Sequence, residues 1–155
     1  MLAVVMQCRP SRSRWESVVW EPWSVIESDE PAGEPRLLVE QDGMVQWLHP
    51  GFELFIHRDE TEGYYLNVST ASPRIFVLWR MDEEAQRGLP LQLTASYEEA
   101  GRWMDGGNAV DSVAMPLDIF AWVGDYVEKN YRPEPKKRIK PRSFVHPKDR
   151  DRAGR

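Results

Sequence analysis

The chain has 155 residues, 41% of them hydrophobic and 29% charged, which fits one globular domain with its own core and excludes a fibrous or largely unfolded chain. A single cysteine, Cys8, excludes an internal disulfide and any metal centre built on cysteines. The net charge of −5 conceals an asymmetry: residues 131–155 hold ten Lys/Arg and three acids (+7), whereas residues 1–130 hold ten bases and 22 acids (−12).

The early chain alternates short β-like runs with Pro/Gly punctuation. Ala3 to Gln7 predicts a first strand, followed by the loop RPSRSR. Ser17 to Ser28 is rich in Val, Trp and Ile, and Pro22 within it predicts a bulge or an edge position, because proline cannot donate to a ladder. DEPAGEP is a loop by composition. Arg36 to Gln41 and Met44 to His49 predict two strands joined by Asp42-Gly43, a dipeptide suited to a tight hairpin turn. Pro50-Gly51 predicts a further turn.

Phe52 to Arg58 alternates in polarity, with Phe52, Leu54 and Ile56 on one side, and Tyr64 to Ser69 alternates as well. Both read as strands, with DETEG as the polar connector and a weak Arg58–Glu62 pair across it. Five apolar residues between arginines, in Arg74 to Arg80, predict a central strand buried on both faces. Residues 81–90 read as a polar loop before a short strand over Leu91 to Thr94. Ser96 and Glu99 match a capping box, so a helix is expected through Trp103 to a stop at Gly106-Gly107. Val110 to Met115 predicts a last strand. Pro116 suits a first helical position, and Leu117 to Asn130 would form the longest helix. Its apolar residues cover more than one stripe, which marks Trp122 and Tyr126 as candidates for docking a partner. The fold class expected is α+β: a mostly antiparallel sheet or partial barrel of six to eight short strands with two C-terminal helices. Residues 1–130 form the acidic domain, and residues 131–155 a basic tail whose composition predicts disorder.

Chemistry is sparsely represented. His49, His57 and His146 do not cluster, no HExxH or Cys/His pattern occurs, and no metal or cofactor site is expected. Phosphate-binding glycine loops and a GxSxG elbow are absent from the sequence. Arg9 beside Cys8 would favour a thiolate, but a lone cysteine near a first strand reads first as a small packing residue. Among prolines and charges, Trp15, Trp20 and Trp23 include a candidate exposed anchor. The densest polar constellation is FELFIHRDETEGYYLN, where His57, Arg58, Glu60, Glu62 and Tyr64 form a candidate binding surface. His57 as acid or base, oriented by Glu60 or Glu62, is the catalytic alternative. The structural or binding reading is preferred, because nothing in the residues requires a pocket. Lys136, Lys137, Arg138, Lys140 and Arg142 resemble an anion-binding patch. The strongly acidic body would repel nucleic acid, so an acidic protein surface, including the chain's own body, is the simpler partner for that tail.

HRDETEGYYLN, RIFVLWR, LTASYEEAGRWMDGG and VAMPLDIFAWVGDYV, together with the early CRPSRSRWESVVWEPWSV, resemble the bacterial domain-of-unknown-function family 3305 (DUF3305). The similarity extends to about Tyr131, and its most specific parts are His57, Arg58, Glu60, Thr61, Glu62 and Tyr64, with Met115-Pro116. Members are typically encoded beside molybdenum- or tungsten-dependent formate dehydrogenase genes, often with a molybdoenzyme chaperone. The resemblance therefore implies a non-catalytic accessory protein for assembly, maturation or regulation of that enzyme, binding one of its subunits or its maturation chaperone. Some members carry a molybdopterin-guanine dinucleotide biosynthesis label, but MLAVVMQCRPSRSRW has no glycine and cannot supply the Gly-rich loop of such nucleotidyltransferases. The alternative is a small enzyme or cofactor-binding protein gripping an anionic pterin or nucleotide through residues 57–64. A third reading is nucleic-acid binding through the basic tail. With an apolar opening of only MLAVVM, too short for a secretory signal, and no run long enough to span a membrane, a cytoplasmic location is expected.

Overall fold

A computed structural model describes residues 1–133. Seven strands form two antiparallel sheets, and three helices complete an α+β fold. The first sheet has the order β2-β1-β4-β3, built from β1 (Leu2–Pro10), β2 (Val18–Glu27), β3 (Arg36–Gln41) and β4 (Met44–Phe52). The second has the order β6-β5-β7, built from β5 (Arg74–Asp82), β6 (Arg87–Thr94) and β7 (Ala109–Ala114). Helix α1 (Thr61–Val68) precedes β5, α2 (Tyr97–Asp105) joins β6 to β7, and α3 (Leu117–Asn130) follows β7. Among the described residues the strands form two antiparallel sheets that share one core and do not close into a barrel.

That core follows from strand periodicity. Leu2, Val4 and Met6 of β1 point to one side and meet Ile75 and Val77 of β5, Val113 of β7, and Ile119, Val123 and Val127 of α3. Ala3 and Val5 point the other way and pack with Leu48. Each large apolar side chain buried here stabilises the fold by roughly 1.5–3 kcal/mol. Cys8 lies buried in β1, and burial pushes its thiol pKa up. It is therefore a packing residue rather than an activated thiolate.

Several expectations hold. Pro22 lies on an edge strand and beside a bulge: Val5 pairs with Ser24 and Met6 with Pro22, leaving Trp23 as the extra residue. Asp42 and Gly43 close the β3–β4 hairpin with φ of 53° and 80°, the left-handed pair that a tight primed turn requires. Strand β5 is central, and Ile75, Phe76 and Val77 are buried on both of its faces. Ser96 caps α2, its Oγ accepting the Glu99 N–H at 3.1 Å. Pro116 stands one position earlier than expected, at the N-cap of α3.

Other expectations are corrected. Pro50-Gly51 does not turn the chain. Strand β4 continues to Phe52, and the irregularity appears as a shift in its pairing with β1 between Leu2 and Val4. Residues 81–90 are not a loop, because β5 runs to Asp82 and β6 begins at Arg87. The largest correction concerns the stretch after Phe52. Residues 53–57 leave the sheet, Arg58–Glu60 form a 3₁₀ turn, and Thr61–Val68 are helical. DETEG therefore does not connect two strands, and Arg58 and Glu62 form no pair across a hairpin. The basic tail, including Lys136, Lys137, Arg138, Lys140 and Arg142, lies outside the described residues except for its first three positions.

Candidate functional site

The signature stretch divides its side chains between the interior and the surface. Glu60 is 7% exposed. One carboxylate oxygen takes the Ser96 hydroxyl at 2.5 Å and the other pairs with the Arg102 guanidinium. Ser96 therefore links two helices at once, donating to Glu60 and capping α2. The contact is so close that a Cβ on Gly63 would fall 2.0 Å from Ser96 Oγ and 3.3 Å from the Glu98 backbone nitrogen. Tyr64 is also buried. Its hydroxyl accepts the His57 N–H at 2.8 Å and lies 3.4 Å from the Phe55 carbonyl, to which it donates. Burial raises its pKa, and the bond from His57 works in the opposite direction. Asn67 completes the set: its Nδ2 donates to the carbonyls of Arg74 (2.7 Å) and Ala95 (2.8 Å), and its Oδ1 accepts the Arg74 N–H at 2.9 Å. The helix thus ties the 55–57 segment, α2, the start of β5 and the end of β6 together through buried polar bonds.

His57, Arg58 and Glu62 face outward. His57 lines a cleft of about 450 Å³ with Glu53, Phe55, Glu99 and Trp103, while Arg58 lies outside it. The five residues expected to form one binding surface therefore do not converge: Glu60 and Tyr64 hold the scaffold, and only His57 reaches a cleft. The acidic lining of that cleft is poorly suited to gripping an anionic pterin or nucleotide.

Helix α3 carries the more open surface. Its buried stripe is Ile119, Val123 and Val127, and apolar residues stand exposed on both flanks of it. On one flank Leu117, 83% exposed, and Phe120 border a small cleft with Pro73 and Met115. On the other, Trp122 (47% exposed) faces Phe55 (61% exposed) across a groove of about 610 Å³. Met1, Leu54 and Ile119 also line this groove, and Glu27, Ser28, Asp29, Glu53 and Asp118 supply its polar side chains. No lysine or arginine lines it among the described residues. Asp118 raises the pKa of the Glu27 carboxyl, first by charge repulsion and then by a hydrogen bond between the two side chains. Tyr126 is less available than expected, because it packs edge-on against Tyr64 and its hydroxyl lies 3.4 Å from Thr61 Oγ1. Trp15 and Trp23 are both exposed, whereas Trp20 packs against the core.

Sequence reasoning found Trp122 but missed Phe55 and the four carboxylates. These come from the end of β2, the loop after it, the 53–55 segment and α3, and only their spatial meeting makes a groove. It also missed Gly63, Asn67, Ser96 and Arg102 as parts of the signature's network; of these, only the capping pattern at Ser96 was a readable signal. Among the described residues no three His, Cys, Asp or Glu side chains group to hold a metal ion, and no helix is long and apolar enough to cross a membrane.

No curated protein and no solved structure matches the chain. The family described as "protein of unknown function (DUF3305)" matches residues 1–140, a span that contains both the buried signature network and the α3 groove. This chain belongs to the DUF3305 family.

Proposed function

We propose that this protein is a non-catalytic accessory protein that acts in the cytoplasm by protein–protein binding, in the assembly, maturation or regulation of a molybdenum- or tungsten-dependent formate dehydrogenase. The observation that carries the binding reading is the division of labour described above. The polar signature residues Glu60 and Tyr64 are engaged in holding the scaffold, while Trp122 and Phe55 stand exposed over a groove with polar rims. Exposed aromatic side chains are among the groups that most often anchor a protein interface. The link to formate dehydrogenase comes from the family resemblance, and the partner is one of that enzyme's subunits or its maturation chaperone.

A pull-down with the full-length protein from native cells expressing the enzyme tests both parts. Wild-type bait is expected to recover a molybdoenzyme subunit or maturation factor. The Phe55→Ala/Trp122→Ala double variant should lose most of that recovery, with an unchanged thermal unfolding midpoint. Wild-type bait that recovers neither class of protein overturns the proposal.

A further inference from the structure

The α3 groove is acidic and aromatic, and the same chain carries a segment of complementary character. Residues 136–142 hold Lys136, Lys137, Arg138, Lys140 and Arg142, no acid, and a single aliphatic side chain, Ile139. The groove offers Glu27, Asp29, Glu53 and Asp118 as counter-charges, and Phe55 and Trp122 as aromatic faces on which a guanidinium or ammonium can rest. Asp118 raises the Glu27 pKa by like-charge repulsion, which the terminal ammonium of Met1, also lining the groove, opposes only in part, and further cations would relieve it.

Geometry permits the meeting. Tyr131 stacks on Tyr65 with ring centroids 4.2 Å apart, which sets where the chain leaves α3. Asp118 lies about 18 Å back along the helix from Asn130, at a rise of 1.5 Å per residue. An extended chain covers about 3.3–3.6 Å per residue, so the five basic residues can reach about 17–40 Å from Tyr131. We infer that residues 136–142 occupy the Phe55–Trp122 groove of their own chain. This inference rests on reading that groove as a docking face, but it does not depend on which partner docks there.

The lysines make the test clean, because Lys129 is the only one outside the tail. Full-length protein, mixed as isotopically light and heavy copies, is treated with a zero-length carbodiimide that joins lysine amines to neighbouring carboxylates. Amides from Lys136, Lys137 or Lys140 to Glu27, Asp29, Glu53 or Asp118 are expected, within one copy. They should largely vanish at about 1 M salt, where the screening length is only about 3 Å. Amides scattered over the acidic body according to exposure, or found only between light and heavy copies, overturn the inference, and the latter result would make the occupant a second copy. A second measurement uses the full chain with the five basic residues changed to Gln, titrated with a synthetic peptide of residues 134–155. Saturable binding is expected, about tenfold weaker after Trp122→Ala, and binding indifferent to Trp122 counts against the groove. Cross-links that form as expected while no native partner is captured would sink the partner reading and leave the tail inference standing. Trp122-dependent capture with scattered cross-links would do the reverse.

Discussion

Glu60 is the residue whose chemistry the fold most constrains. A carboxylate with 7% exposure is tolerable because Ser96 and Arg102 satisfy it. Arg102 is largely exposed, so part of the pair's attraction is screened by water. Glu60→Ala is expected to destabilise the protein by about 1–3 kcal/mol, because it removes the acceptor for Ser96 and leaves a small void; urea denaturation measures the loss. Gly63→Ala should cost a similar amount, about 1–3 kcal/mol, by overpacking. The added methyl meets Ser96 Oγ and, behind it, helix backbone. Adding Ser96→Ala to it removes the nearest clashing atom, so the double variant should be less destabilised than the sum of the singles. Additive effects would show that Gly63 is not there for the close approach. Neither residue's role is visible locally: a glutamate beside a threonine reads as a solvated charge, and a glycine in TEGYY reads as a turn.

At the scale of the element, α1 is where the sequence reading failed most clearly. Tyr64, Leu66 and Val68 alternate with period two, and Tyr and Val favour strands, so a strand was the natural expectation. The segment is helical because tertiary bonds override that weak propensity. The Tyr64 hydroxyl must reach the 55–57 backbone, and the Asn67 amide must bridge Arg74 and Ala95. Asn67→Ala should therefore cost on the order of 3 kcal/mol, since it strands buried backbone groups at the ends of β5 and β6. Hydrogen exchange at Arg74 should quicken with it, and exchange unchanged there would refute the bridging role. By contrast α2 and α3 were legible, because their starts carry Ser96 with Glu99 and Pro116, local signals that tertiary contacts did not oppose.

For the whole molecule, acid sensitivity has an identifiable source in the sheet interior. His49 of β4 is buried, its Nε2 has no hydrogen-bond partner among the described residues, and its pKa is lowered to about 4, first by burial and then by the nearby charge of Arg87. The folded state therefore keeps the imidazole neutral, while the unfolded chain takes up a proton near pH 6.5. Its contribution to stability is complete above about pH 6.5 and is lost as the pH falls toward 4, by roughly 1–3 kcal/mol in all. Denaturation midpoints should fall less steeply with falling pH in His49→Phe than in wild type across that window; equal slopes in both proteins would remove His49 as the cause.

By itself, the sequence determined what local rules decide: the Asp42-Gly43 hairpin, the irregular edge at Pro22, the doubly buried β5, the starts of the last two helices to within a residue, the α+β class and the family. These depend on backbone preferences and on neighbours a few residues away. Tertiary structure alone decided that the polar cluster of 57–64 divides, with Glu60 and Tyr64 joining the scaffold and His57, Arg58 and Glu62 facing outward, and that an acidic groove lined by two aromatic residues opens beside α3. Glu60 pairs with Arg102, and Phe55 lines one groove with Trp122, across 42 and 67 positions of chain. A meeting at that separation is set by how the sheets and helices pack, which no local pattern of residues encodes.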